Sequence, residues 1–355
     1  MTWTKLIPGV VSMAVSILIV LTKNLHGKHT IDHHHGVQKF HTSPTPRIGG
    51  VALALGLLTA WLLTPSSQSQ LFGKMLIAGI PAFAAGLAED MTRKIGVRAR
   101  LIATIVSAAT AWWLTGYLIT RIDIGLVDPI FSYLPISLVF TLFAVSGVVN
   151  SINIIDGFNG LASGTLMICF AAFSLIAASA GDLQLVELCL IMDVVLAGFF
   201  VVNYPLGKIF MGDGGAYLMG FLLAWIAVML PIRNPHVSVW APLLVCSYPV
   251  IETTFSMFRR LLNKQNAGHP DGGHMHSLIK VNIVNRHASH FPQNVRNSLV
   301  SPLCWLYALL PCSLAVVFHS QEVILIISLL FSIVLYVAIY FFVLRKEYSQ
   351  APPKA

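Results

Sequence analysis

An acidic pair, Glu89-Asp90, ends a long apolar run and begins a loop, residues 90–100, that holds four Lys or Arg residues. Carboxylates beside apolar runs are costly unless they are paired, hydrated or bound to an ion. The pair therefore indicates a polar site next to a membrane. Helix capping, or pairing with the basic residues of the same loop, explains any one of these carboxylates about equally well.

Two glycine-containing segments offer oxygen ligands. The first runs Asn153-Ile-Ile-Asp156-Gly157-Phe-Asn159-Gly160, and the second runs Phe210-Met-Gly-Asp213-Gly214-Gly215. Their glycines permit tight turns, and Asn and Asp oxygens are hard ligands suited to Mg²⁺. Asp213 precedes an apolar run, so it would stand at a helix amino terminus, where phosphate also binds. An ordinary helix N-cap is the alternative interpretation of Asp213.

Histidines form a further polar segment, His269-Pro-Asp271-Gly-Gly-His274-Met-His276, which follows three basic residues at 259, 260 and 264. The close histidines suggest zinc, but zinc sites usually have four ligands including cysteine or further histidine. Imidazole and guanidinium groups around a phosphate are the better match. The histidine-rich loop 23–47 is interpreted as a solvated segment near lipid headgroups, with incidental metal binding as the alternative.

The composition requires a membrane. Hydrophobic residues make up 56% of the 355 residues and charged residues 10%, against about 25% charged residues in soluble domains. About 20 apolar residues cross the hydrocarbon core as a helix, which predicts an all-α, polytopic integral membrane protein of one domain, residues 1–355. The eleven predicted spans are 6–22, 48–64, 73–89, 101–118, 136–152, 161–180, 184–202, 214–231, 239–257, 299–319 and 322–344.

Charge distribution predicts the orientation. One set of loops, with the carboxyl-terminal tail, carries 18 of the 22 Lys and Arg residues, and the opposite set carries four. Basic residues favour the cytoplasmic side, so the amino terminus is predicted outside and the carboxyl terminus in the cytoplasm. The net charge of +8 is thereby assigned to membrane orientation and not to nucleic acid. The predicted cytoplasmic loops that carry the site are 23–47, 90–100, 153–160, 203–213 and 258–298.

Two features inside the apolar runs are interpreted separately. Five cysteines, with no CxxC spacing, are predicted to be packing residues. Asp193 lies inside the run 184–202 and is a functional candidate as an intramembrane carboxylate, but the sequence offers it no basic partner.

Together these segments resemble the polyprenyl-phosphate N-acetylhexosamine-1-phosphate transferases of glycosyltransferase family 4. These bacterial enzymes start lipid intermediates of O-antigen, teichoic acid and peptidoglycan. The polar segments described above occur in the family's order, preceded by Pro44-Thr-Pro46-Arg47-Ile-Gly49-Gly50, which resembles the family's first cytoplasmic signature.

The resemblance implies a reaction in which a UDP-N-acetylhexosamine and undecaprenyl phosphate give polyprenyl-diphospho-sugar and UMP. It implies Mg²⁺, with Mn²⁺ as the alternative, held by Asp213 and Asn153. It also implies a bacterial inner (cytoplasmic) membrane location, with a homodimer left open. The implied catalytic residues are Asp90, Asp156, Asp213 and His274. The implied substrate-binding residues are Arg47, Glu89, Arg98, Arg100, Asn159, Asn203, Phe210, Asp271 and His276.

Three departures from the family pattern bear on the substrate. Glu89, Asn159 and Ser277 stand where the family usually has Asp, Asp and His. These changes favour the branch that makes surface polysaccharides over the peptidoglycan branch. Two other classes are weighed: a transporter of an anionic substrate, which would often show inverted repeats, and a non-catalytic scaffold, which would not need polar residues in four separate loops.

Overall fold

The computed structural model describes residues 3–32, 44–264 and 272–348. In these ranges the fold is all-α, with short strands β1 (Ile31–Asp32) and β2 (Thr45–Pro46), a 3₁₀ turn at Trp3–Leu6 and a π-helical turn at Lys280–Val284. The α-helices are α1 (Ile7–Leu21), α2 (Lys23–Thr30), α3 (Gly49–Leu63), α4 (Ser66–Thr92), α5 (Val97–Thr115), α6 (Asp128–Phe131), α7 (Leu134–Ile155), α8 (Leu161–Ser179), α9 (Leu183–Asn203), α10 (Gly212–Arg233), α11 (Trp240–Val245), α12 (Ser247–Leu262), α13 (Met275–Ile279), α14 (Asn285–His287), α15 (Gln293–Ser298), α16 (Val300–Val317) and α17 (Glu322–Tyr348).

The helices confirm an all-α, polytopic membrane protein. Within the described residues, eight helical segments are long and apolar enough to cross a membrane, and α3 is a shorter apolar helix. Each of the eleven predicted apolar runs falls on helical segments of the structure. The number of eleven spans and the side on which each terminus lies stay predictions.

The run 239–257 is not one continuous helix, as the sequence predicted. It is divided at Cys246 into α11 and α12. Pro249 has no N–H to donate to the Val245 carbonyl four residues earlier, and its ring disfavours a continuous helix. The Val245 carbonyl instead accepts hydrogen bonds from the thiols of Cys169 on α8 and Cys312 on α16, with S–O distances of 3.4 and 3.5 Å.

Helix α10 forms the centre of the bundle. It packs against α3, α4, α7 and α8, and 89% of its apolar window is buried. A span that is apolar on every side is expected where protein and not lipid surrounds it. Asp213, in the first turn of this helix, is therefore positioned by four neighbours.

Helices α1 and α9 cross at glycines. A Cβ at Gly198 would lie 2.0 Å from the Gly9 carbonyl oxygen, and a Cβ at Gly9 would lie 2.5 Å from the Val194 carbonyl oxygen. Small residues allow such close backbone contact between membrane helices. The first helix is thus packed directly onto the ninth.

An extended segment brings residue 47 to the start of α10. β1 pairs antiparallel with β2, with Ile31 opposite Pro46. The Pro46 carbonyl accepts from the Phe210 N–H at 2.8 Å, and the N–H groups of Gly49 and Gly50 donate to the carbonyls of Phe210 and Met211 at 3.0 and 2.9 Å. These main-chain bonds hold the beginning of α3 against the beginning of α10.

The charge distribution predicts which loops face the cytoplasm. Lys264→Cys should resist an impermeant thiol reagent added to intact cells, whereas His236→Cys should react, because both positions are exposed and lie on opposite predicted sides. The five native cysteines are buried and provide the unlabelled background. Labelling of position 264 from outside would reverse the orientation.

Candidate active site

The carboxylate of Asp90, at the end of α4, caps the first turn of α10 from outside that helix. Its two oxygens accept from the N–H groups of Asp213 and Gly214, both at 2.9 Å. No side chain of the α10 segment itself caps this end, so Asp90 provides the bonds that an N-cap residue normally makes. Its side chain has 0% exposure and is also paired with Arg47 at 3.0 Å.

Asp213 lies among polar groups from three other elements. One oxygen accepts from the Asn153 amide at 3.0 Å and lies 3.6 Å from an Arg47 nitrogen. The other oxygen is paired with Arg100 on α5. The side chains of Asp213, Arg47 and Arg100 are 14%, 20% and 16% exposed, so this cluster reaches the surface while Asp90 does not.

Glycines allow the helix ends to approach. A Cβ at Gly212, where φ is +73°, would lie 1.9 Å from the Arg47 carbonyl oxygen and 2.6 Å from an Asp90 carboxylate oxygen. A Cβ at Gly50 would lie 2.3 Å from the Gly215 nitrogen. The glycines of the sequence motifs are thus required by backbone contacts around Asp90 and Asp213.

Asp156 ends α7 and completes a group of three carboxylates. Its pKa is raised to about 7, chiefly by burial and then by the charges of Asp213 and Asp90, although Arg47 and a hydrogen bond from the Gly212 N–H oppose the rise. Three carboxylates and two guanidinium groups share the cluster. It therefore has one negative charge in excess when all three carboxylates are ionised.

The loop after Asp156 is braced from within the protein. The buried Asn203 side chain accepts from the Gly160 N–H at 2.7 Å and donates to the Ile209 carbonyl at 2.7 Å. Asn159, 4% exposed, donates to the Pro205 carbonyl at 3.0 Å. An aspartate at 159 would face that carbonyl without an amide donor, which gives a physical reason for Asn in place of the family's Asp.

A second group of polar side chains lies beside this loop. His274 Nδ1 is 3.0 Å from a carboxylate oxygen of Glu252 and 3.1 Å from the hydroxyl of Ser256, both on α12. The rings of His274 and His276 are nearly parallel, with centroids 5.2 Å apart. His276 contacts the ring of Phe158 edge-on at 5.5 Å, so the histidines adjoin the loop that carries Asp156.

The other predicted site residues show no described contact with the Asp213 cluster. Glu89 accepts from the Ile95 N–H at 2.7 Å and closes the loop after α4. Arg98 is exposed, and the described residues offer its guanidinium no hydrogen bond or ion pair. Phe210 is held through its main chain, and Asp271 lies outside the described residues. The substrate-binding roles assigned to these residues, and to Asn159 and Asn203, stay predictions.

Glu252 was not among the predicted site residues, although it lies against one of them. It is fully buried within the predicted span 239–257. The signal that could have identified it is the one used for Asp193, a carboxylate inside an apolar run. For Asp193 the structure shows one buried carboxylate oxygen without a hydrogen-bond partner among the described residues.

Gly212→Ala tests the packing at the start of α10. Gly116 is the matched control, because its φ is +77° and a Cβ added there would meet nothing within 4 Å. Gly116→Ala should cost only the backbone strain, about 1–2 kcal/mol. Gly212→Ala should lower the thermal unfolding midpoint in detergent by clearly more, because it displaces the Arg47 carbonyl and Asp90. Equal losses in the two variants would contradict this packing.

The pH dependence of stability tests the Asp156 environment. A carboxyl whose folded pKa is raised opposes folding increasingly as pH rises from its ordinary pKa to the folded one. In metal-free buffer, Asp156→Asn should therefore raise the unfolding midpoint, with the gain growing from about pH 4 to about pH 7 and then levelling. A gain that does not change with pH would contradict the raised pKa.

Asp182 provides a control of opposite sign. Burial alone would raise the pKa of Asp182, but hydrogen bonds from Arg233 and the Leu185 N–H, with the Arg233 charge, hold it below its ordinary value. Its carboxylate stabilises the fold above the ordinary Asp pKa, and this stability is lost as pH falls through the folded pKa. Asp182→Asn should accordingly lower the midpoint at pH 7.

Comparison with known proteins agrees with the sequence motifs. The family model described as glycosyl transferase family 4 matches residues 72–231, the part of the chain that contains Asp90, Asp156 and Asp213. This match ends before the histidine segment. It therefore covers the carboxylate cluster and leaves the Glu252–His274 group to be judged from geometry.

Curated relatives match over a longer part of the chain. A probable undecaprenyl-phosphate N-acetylglucosaminyl 1-phosphate transferase of Bacillus subtilis is 26% identical over 251 residues, which is 68% of this chain and 67% of the relative. An undecaprenyl-phosphate alpha-N-acetylglucosaminyl 1-phosphate transferase of Yersinia pestis is 27% identical over 247 residues, 68% and 67%. A decaprenyl-phosphate N-acetylglucosaminephosphotransferase of Mycolicibacterium smegmatis is 28% identical over 286 residues, 70% and 68%. With the ordered motifs and the all-α membrane fold, these matches support placing the chain with glycosyl transferase family 4, among the polyprenyl-phosphate N-acetylhexosamine-1-phosphate transferases.

Proposed function

We propose that the protein transfers N-acetylhexosamine-1-phosphate from a UDP-sugar to undecaprenyl phosphate, giving a polyprenyl-diphospho-sugar and UMP. The single observation that carries the proposal is the cluster of Asp213, Arg47, Arg100 and Asn153, which reaches the surface where four helix ends meet. The activities for which the similar proteins are named support the same reaction class. The charge distribution favours a position for this face on the cytoplasmic side of a bacterial inner membrane. Nucleotide sugars are made in the cytoplasm.

The two guanidinium groups can exchange partners when the substrates bind. Both reactants carry negative phosphates, so their approach requires neutralisation of charge. Arg47 and Arg100 are held near Asp213, and planar guanidinium groups bind phosphate oxygens through two parallel hydrogen bonds. Arg47 and Arg100 would orient the donor diphosphate across the cluster, with Asp213 behind it.

The oxygen groups of the cluster fit Mg²⁺, and Mn²⁺ as the alternative. No set of three His, Cys, Asp or Glu side chains in the described ranges could hold a metal alone, and Mg²⁺ characteristically takes one or two carboxylates together with substrate phosphates and water. Asp213 would hold it, and Asn153 would join once its amide, which here donates to Asp213, turns its oxygen toward the ion. When bound, the ion would neutralise the diphosphate and polarise the bond that breaks.

The remaining carboxylates have different positions. Asp90 has no exposed surface and accepts three hydrogen bonds or ion pairs, so direct contact with the lipid phosphate would require it to leave these partners. Through its hydrogen bonds to the N–H groups of Asp213 and Gly214, Asp90 holds the first turn of α10 and thereby fixes the direction of the Asp213 side chain. Asp156 is the more exposed of the two and lies where a nucleoside or a phosphate would meet the loop 156–160.

Transport of an anionic substrate is the second function considered. Transporters place their binding sites near the membrane midplane, whereas this cluster lies at helix ends on one face. Release of UMP from UDP-N-acetylglucosamine in detergent, dependent on added undecaprenyl phosphate, would support the transferase. Uptake into proteoliposomes without UMP release would support the transporter.

The finer role is proposed from the sequence. The replacements at Glu89, Asn159 and Ser277 favour the first membrane step of an O-antigen-like surface polysaccharide. N-acetylglucosamine is the sugar to test first in the donor, because the similar proteins are named as N-acetylglucosaminyl 1-phosphate transferases. A panel of UDP-N-acetylhexosamines with one defined lipid phosphate would identify the sugar.

Asp213→Asn and Asn153→Ala test the central role of the cluster. Either change should reduce Mg²⁺-dependent UMP release by about 10²–10³-fold, the size of losing one principal transition-state contact. Asn150 is the matched control: it lies on the same helix as Asn153, but its amide donates to the Ser146 carbonyl, so Asn150→Ala should stay within a few-fold of wild type. Full activity of Asp213→Asn in a folded protein would refute the assignment.

A further inference from the structure

Glu252 is a fully buried carboxylate that contacts the histidine segment from α12. Its Oε1 accepts from the Met275 N–H at 3.1 Å and lies 3.0 Å from His274 Nδ1. The other oxygen is buried and has no hydrogen-bond partner among the described residues. A buried carboxylate with incomplete hydrogen bonding is costly, so its retention here calls for a role beyond closing the loop.

This arrangement fixes one proton of His274. Ionised carboxylates only accept hydrogen bonds, so the ring nitrogen that faces Glu252 must carry hydrogen. His274 Nδ1–H therefore points at α12, and Nε2 lies at the opposite edge of the ring. The Ser256 hydroxyl at 3.1 Å from the same Nδ1 adds a neutral contact on the same side.

The histidines connect this carboxylate to the transfer site. His274 lies parallel to His276, with ring planes 6° apart. A Cβ at Gly157 would lie 3.4 Å from His276 Nε2, and Gly157 follows Asp156 directly. Glu252, the two imidazoles and the Asp156 loop form one continuous series of contacts.

We propose that Glu252 is a positioning residue for the transfer reaction: its negative charge orients His274 with Nδ1 protonated and stabilises the imidazolium form when a substrate phosphate contacts the ring. This rests on the proposed function, in which His274 serves the phosphates. Carboxylate–imidazole pairs of this kind set the tautomer and orientation of the ring. Glu252 itself touches no substrate.

Glu252→Gln separates charge from geometry. The glutamine oxygen can still accept from the Met275 N–H and from His274 Nδ1–H, so the loop stays closed, but the negative charge is lost. We expect kcat for UMP release to fall about 100-fold while KM for the UDP-sugar changes by less than about threefold, a loss of about 2.7 kcal/mol in the transition state. Ser256→Ala, which removes only the neutral contact to Nδ1, is the matched control and should lose less than about threefold.

A double-mutant cycle distinguishes positioning from a merely structural role. In a His274→Gln background, Glu252→Gln should cause little further loss, because the group it acts through is gone. Additive losses would overturn the proposal, as would unchanged kcat in the Glu252→Gln single variant. A fall in the unfolding midpoint that accounts for the lost activity would also assign Glu252 to the fold alone.

A measurement of the proton separates this proposal from the proposed function. In protein with ¹⁵N-labelled histidine at pH 7, His274 should show a protonated Nδ1 in the wild type and also in Glu252→Gln, whose side-chain oxygen can still accept from Nδ1–H. An unprotonated Nδ1 in the wild type would overturn the proposal whether or not UMP is released. A wild type with protonated Nδ1 but no UMP release would refute the transferase and leave the Glu252–His274 pairing standing.

Discussion

The candidate site depends on one carboxylate that caps a helix to which it does not belong. Asp90 reaches from the end of α4 to two N–H groups at the beginning of α10, and Gly212 lets the backbones approach closely enough for this bond to form. Without Asp90, the N–H groups of Asp213 and Gly214 would lose their acceptor, at a cost of about 1–3 kcal/mol for each group, and Arg47 would lose one of its partners. The same bonds set the direction from which Asp213 enters the cluster. Stability and chemistry therefore share this contact.

The helix ends that form the site could be predicted from the sequence, because apolar runs predict the spans and the polar segments between them occur on alternate sides. The partners within the site could not. Arg98 and Arg100 look equivalent in sequence, but residues two positions apart on a helix point in directions about 200° apart. Only Arg100 reaches Asp213. Adjacent residues diverge in the same way in the acidic pair, where Asp90 enters the site and Glu89 closes a loop.

The helix break at Cys246 and the contacts of Asn203 could not be predicted from the sequence, because both involve parts of the chain that are distant in sequence. The division at Cys246 follows from Pro249, yet the apolar run around it favoured one span, and only the structure shows that thiols from α8 and α16 satisfy the Val245 carbonyl. Asn203 has a residue type suited to substrate binding, but its amide is used to hold two loops together. Both cases show polar groups that the apolar interior requires the protein itself to satisfy.

The glycine crossing of α1 and α9 has a consequence for the order of synthesis. α1 ends at Leu21 and α9 begins at Leu183, so residues 22–182 are made between them. At about 5–20 residues per second this takes roughly 8–30 s. During that interval the first helix lacks the backbone surface of α9 on which it finally packs. A polypeptide shortened at its amino terminus would place α9 in the reverse situation for its whole lifetime, with the groove at Val194 and Gly198 open to lipid.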